Sequence, residues 1–98
     1  MRILALEKET GTATGEDEQK LLRAEAARVW DLCQANVLRE IYFRADRPQA
    51  VLVLECETIS EAEAALQTLP LVQAGLIEFE IIPLAPYPGF SRLFSERD

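Results

Sequence analysis

The segment Val37-Leu38-Arg39-Glu40-Ile41-Tyr42-Phe43-Arg44, the turn Ala45-Asp46-Arg47-Pro48, and the segment Ala50-Val51-Leu52-Val53-Leu54-Glu55-Cys56-Glu57 read as two strands in succession. The first alternates with period two and is rich in β-branched and aromatic residues. The second is apolar at nearly every position, the pattern of a strand covered on both faces. Helical periodicity resumes on either side of the pair. A hairpin between two helices narrows the topology to a few arrangements.

Upstream, Leu22, Ala26, Val29 and Cys33 form an apolar stripe at helical spacing, broadened by Leu21, Trp30 and Leu32. This helix is expected to start after Thr14, with Glu16, Asp17 and Glu18 at the positive end of its dipole, and to run to about Gln34. Asn36 suits a left-handed C-cap. Before it, residues 8–15 have loop composition, and Met1 to Glu7 read as a first strand. Downstream, Thr58 and Glu61 have capping-box spacing, and Ala62, Ala65, Leu66 and Leu69 share a helix face that Pro70 should end. Leu76 to Ile82 read as a fourth strand. The prolines of Pro83-Leu84-Ala85-Pro86-Tyr87-Pro88 are expected to stop it, since none can donate to a ladder.

The order is βαββαβ, an α+β, ferredoxin-like unit with a four-stranded antiparallel sheet. Right-handed crossovers put both helices on one sheet face. The other face would carry Leu38 and Tyr42 with either Val51 and Val53 or Leu52 and Leu54, which is too apolar for water. Two sheets are therefore expected to pack face to face as a dimeric α+β barrel, a homodimer or higher homo-oligomer. Residues 1–98 form one domain in this reading, with 84–98 as a C-terminal arm that carries Tyr87, Phe90, Leu93 and Phe94.

Composition removes several function classes. Seventeen acidic residues face ten basic ones, for a net charge of −7, and no Lys/Arg cluster exists, so nucleic acid is not an expected partner. No apolar run reaches the ~20 residues of a membrane span. Met1 to Leu6 is too short for a signal peptide, and a cytoplasmic location is the default. The chain has no histidine and only two cysteines, Cys33 and Cys56, without a CxxC pair. That argues against a Cys/His zinc site, histidine-dependent nucleophilic catalysis and a histidine-ligated haem. No cofactor or metal is expected. Both cysteines fit small buried hydrophobes. Apolar residues make up 49% of the chain, high for a lone small domain.

Leu66-Gln67-Thr68-Leu69-Pro70-Leu71 followed by Gly75-Leu76-Ile77-Glu78-Phe79-Glu80-Ile81-Ile82-Pro83-Leu84 resembles the muconolactone isomerase-like group of dimeric α+β barrels, including small YciI-like bacterial proteins. Arg23-Ala24-Glu25 and Arg39-Glu40-Ile41-Tyr42 fit as well, so the likeness spans nearly the whole chain. It implies the barrel fold, a dimer or larger assembly, and a pocket between the first helix and the sheet. It also implies a family glutamate at Glu25. The chain departs from the isomerase in the second strand, where Glu40 and Tyr42 stand and no histidine is present.

Glu25 lies within the apolar stripe of the first helix and is the candidate catalytic residue. Desolvation would raise its pKa and make it a proton carrier. The alternative is an ion pair with Arg28 or a strand arginine. Arg39, Glu40, Tyr42 and Arg44 are the candidate ligand-binding residues. Tyr42 would orient a ligand oxygen, Arg44 would pair with a ligand carboxylate, and Arg39 would reach over the edge toward Glu25. Glu40 and Tyr42 are expected to share a strand face with Leu38 and Arg44. Trp30 suits the core or an interface, and the Thr/Gly-rich loop 10–15 a flap over the cleft. Three functions follow: an enzyme moving a proton α to a carbonyl of a small, carboxylate-bearing or lactone-like metabolite, a non-catalytic binding module, or an assembly protein using its apolar tail.

Overall fold

The computed structural model describes residues 1–12 and 16–94. Its elements are β1 (Arg2–Glu9), α1 (Glu16–Gln34), β2 (Leu38–Phe43), β3 (Ala50–Glu55), α2 (Ile59–Gln67), α3 (Pro70–Gln73), β4 (Ile77–Leu84) and a 3₁₀ segment, Gly89–Phe94. The four strands form an antiparallel sheet in the order β2-β3-β1-β4. This is the ferredoxin-like α+β arrangement. The helix-covered face is set by parity. Ile3 pairs with Leu54 and Ala5 with Leu52, and all four are buried beneath Leu32, Ala62, Leu66 and Leu69.

Local chemistry places the helix ends. Asn36 closes α1 at φ 62°, a left-handed position that asparagine tolerates, and the Val37 amide returns to the Leu32 carbonyl. The Thr58 hydroxyl accepts from the Glu61 amide at 3.1 Å, while the Glu61 carboxylate accepts from the Glu57 amide at 2.9 Å. This is the expected box, with its return bond one residue earlier than usual.

Three sequence expectations need correction. The second helix does not run to Pro70: α2 ends at Gln67 and Pro70 opens the separate turn α3, where its fixed φ suits a first helical position. β4 does not stop before Pro83, which pairs with Ile3. β4 is an edge strand, where a residue without an amide hydrogen need not break the ladder. Leu38 does not share a face with Glu40 and Tyr42. The β2–β3 register shifts between Leu38, opposite Leu54, and Glu40, opposite Val53. That bulge at Arg39 sends Leu38 into the core and turns Glu40 and Tyr42 to the other face. Trp30, expected in the core or at an interface, is exposed on α1 in the protomer.

The face without helices carries Leu4, Leu6, Val51, Val53 and Ile82, half-buried only by their neighbours, together with Tyr42. The segment 85–94 leaves the sheet. The radius of gyration is 16.9 Å, against about 13 Å for a compact chain of this length. The segment is ordered by its own contacts. Tyr87 and Phe90 pack edge to face with centroids 5.0 Å apart, and a side chain at Gly89 would collide with the Tyr87 ring. Tyr87, Phe90, Leu93 and Phe94 remain exposed, Phe94 at 82%.

Candidate functional site

A cavity of about 330 Å³ lies between α1 and the helix-covered face of the sheet. That is within the size range of small-ligand pockets. Leu22, Ala26 and Val29 of α1 form one wall, and Leu52, Ile77 and Phe79 of the sheet form the other. Ile41 and Phe43 line it from the edge strand β2, and Phe43 is 71% exposed. Among the described residues that line it, Glu7 and Glu25 are the only ones with polar side chains. A larger depression of about 550 Å³ beside α2 and β4 is more open, and its Ser60, Glu63 and Glu78 are exposed. It encloses no held polar group, so the smaller cavity is the candidate site.

Glu25 is fixed by a local need. α3 begins with Leu69 at its N-cap position, and leucine has no side-chain acceptor for the free amides of a helix start. The Glu25 carboxylate reaches across from α1 and accepts from the Leu71 amide at 3.0 Å. It therefore caps another helix while lining the cavity. Burial raises its pKa above the ordinary 4.5; the Leu71 hydrogen bond opposes this, and the charge of Glu7 adds to it. The net direction is upward, so desolvation outweighs the one hydrogen bond.

Glu7 is held by a similar shortage. The β1–β3 ladder ends at Leu6 and Val51, leaving the Ala50 amide without a main-chain partner from β1. The Glu7 carboxylate accepts it at 3.1 Å. Sequence reading passed over Glu7 as the charged end of an apolar strand. The usable signal was parity, because Glu7 continues the series Ile3 and Ala5 that points into the core.

The remaining candidates are not brought to this cavity. The Arg39 Nε donates to the Asn36 carbonyl at 2.9 Å, not to Glu25. Arg44 forms a two-pronged pair with Asp46 at 2.9 and 2.6 Å across the turn, which holds the Asp46 carboxyl below its ordinary range. The Tyr42 hydroxyl donates to Glu40 at 2.7 Å on the helix-free face, and the Glu40 carboxylate pushes the phenol pKa up. Arg28 donates to the Thr68 hydroxyl at 2.8 Å and makes no ion pair with Glu25. Burial raises the Cys56 thiol pKa, and Cys33 packs at the core margin. Among the described residues no cluster of three or more His, Cys, Asp or Glu could hold a metal, and no helix is long and apolar enough to cross a membrane. In the loop expected as a flap, Thr10 and Gly11 are tied to Leu76 and Gly75 by three hydrogen bonds, and residues 13–15 lie outside the described residues.

No protein-family model and no curated protein sequence matches this chain. Solved structures do. A crystal structure of muconolactone isomerase superposes with a TM-score of 0.78 at 16% identity, covering 90% of this chain and 92% of that one. The chain has the fold of muconolactone isomerase. A second match is 5-chloro-2-hydroxyhydroquinone dehydrochlorinase from Burkholderia phenoliruptrix AC1100, in complex with 2,5-dihydroxybenzoquinone, with a TM-score of 0.58 at 17% identity over 87% of this chain and 94% of that one. The superposition shows the muconolactone isomerase fold, and identity this low leaves chemistry to the residues at hand.

The cap and the titration of Glu25 separate by substitution. Glu25→Gln keeps an oxygen for the Leu71 amide, whereas Glu25→Ala leaves that amide bare and should lose about 0.5–2 kcal/mol, as other lost caps do. Because the folded-state pKa of Glu25 is raised, its favourable linkage is complete below the unfolded value and is lost as pH rises through the folded value. Thermal unfolding of Glu25→Gln should therefore gain on the wild type as pH climbs from below the ordinary carboxylate range to neutrality. A gap that is constant with pH contradicts the raised pKa.

Proposed function

We propose that the chain binds a small, mainly apolar ring compound in the Glu25 cavity and moves a proton on it, with Glu25 as the carrier. The observation that carries this reading is a half-buried carboxylate of raised pKa, fixed by one backbone amide, in a cavity whose other lining is almost wholly hydrocarbon. A raised pKa makes the ionised form a stronger base and brings it nearer the operating pH. Fixing the carboxylate before a ligand arrives removes part of the entropic cost of alignment. The names of the two structural neighbours agree in kind: one isomerises a lactone, the other removes hydrogen chloride from a hydroxylated ring.

For a β,γ-unsaturated lactone the steps balance without a cofactor. The Glu25 carboxylate takes the proton from the carbon α to the carbonyl, the C–H electrons delocalise through the ring into a dienolate, and the protonated carboxyl returns the proton to the γ carbon. The double bond moves into conjugation and Glu25 regains its charge. A non-catalytic binding module uses the same cavity without this step, and solvent exchange distinguishes the two. In deuterium oxide the wild type should exchange the α proton of a simple neutral β,γ-unsaturated butenolide, followed by NMR. Glu25→Gln should abolish the exchange and keep binding. Equal exchange by Glu25→Gln overturns the assignment.

The working form in this proposal is a homodimer joined through the helix-free face. Leu4, Leu6, Val51, Val53 and Ile82 supply an apolar centre, while Arg2 and Lys8 share the face with Glu40, Glu78 and Glu80. A two-fold interface needs such a self-complementary patch. Phe90, Leu93 and Phe94 of the arm are exposed in the protomer, and a neighbouring copy would give them a surface on which to be buried. Light scattering should give at least twice the chain mass, and Val53→Lys should reduce it to one chain. A well-folded wild-type monomer contradicts this arrangement.

A further inference from the structure

We infer that the cavity selects uncharged rings over their carboxylate-bearing counterparts, with Glu7 as the group that turns anions away. This rests on the reading of the Glu25 cavity as the ligand site. It differs from the sequence expectation of an arginine-held carboxylate. Both polar side chains of the lining are acidic, and no described lysine or arginine lines the cavity. Arg44 is paired with Asp46, Arg28 donates to Thr68 and Arg39 to the Asn36 carbonyl, while Lys20 and Arg23 lie in the neighbouring depression beyond Leu22 and Ala26, outside the cavity lining. An anion entering would be stripped of water beside a carboxylate, with no counter-charge to replace its hydration.

Glu7 suits the role of a fixed gatekeeper. Its carboxylate is anchored on the Ala50 amide at 3.1 Å and sits on the same sheet face as Phe79, its partner across the β1–β4 ladder. Its charge also acts on Glu25, so one residue tunes the proton carrier and screens the ligand. A neutral ring incurs neither penalty. Its flat face can rest on Phe79 and Leu52, with its acidic C–H toward Glu25.

The experiment compares two probes by NMR titration of the full chain at neutral pH: a methyl-substituted butenolide and the same ring bearing a carboxymethyl group. The neutral ring should bind about tenfold or more tightly than the anion. Glu7→Gln retains an oxygen for the Ala50 amide but removes the charge, and should shrink the difference severalfold chiefly by improving anion binding. If the anion binds as well as the neutral ring in the wild type, or Glu7→Gln leaves the ratio unchanged, the selectivity is overturned while the ring-binding reading stands. If neither probe binds, the ring-binding reading fails and this inference fails with it.

Discussion

A single hydrogen bond, from the Leu71 amide to the Glu25 carboxylate, joins the architecture to the proposed chemistry. Leu69 cannot cap the short helix that Pro70 begins, so the acceptor must come from another element. α1 supplies it from a position that apolar periodicity would otherwise give to the core. The bond ties α1 to α3 and holds a carboxylate in the wall of a cavity that Leu52 and Phe79 also line. The same geometry that satisfies a helix start thus desolvates a titratable group.

Two effects compete at that carboxylate. A hydrogen bond to the charged form favours ionisation, and removal from water opposes it. One backbone amide is too little to offset burial among aliphatic and aromatic side chains, and Glu7 adds a like charge. The outcome is a group that is costly to ionise and correspondingly basic once ionised. A scaffold selected for stability alone would gain from an amide at this position. A carboxylate at this position has an explanation as a proton carrier.

The scaffold was legible because its signals were periodic. The alternation of β2, the two-sided apolarity of β3 and the stripe on α1 gave the βαββαβ order, and the fold likeness to muconolactone isomerase agrees with it. Glu25 was visible as a charge within an apolar stripe. Its true partner was not, since a through-space cap from one helix to another leaves no local spacing to read. The bulge at Arg39 was hidden for a related reason. A one-residue insertion in a ladder is set by pairing with β3, and it reversed the face of Leu38 relative to Glu40 and Tyr42. Glu7 was missed because a strand-end charge is usually solvated, although its parity with Ile3 and Ala5 marked it as inward. Arg44 was drawn off by Asp46, two residues away, a contact that a turn favours over a distant ligand.

The most direct measurement is a titration of the Glu25 side-chain carboxyl followed by its own ¹³C NMR resonance, in the wild type and in Glu7→Gln. A midpoint above the ordinary 4.5, moving down when the Glu7 charge is removed, is the predicted result. A midpoint at or below that value would mean that the carboxylate is well solvated or paired by a cation, and would contradict the proposal of Glu25 as proton carrier.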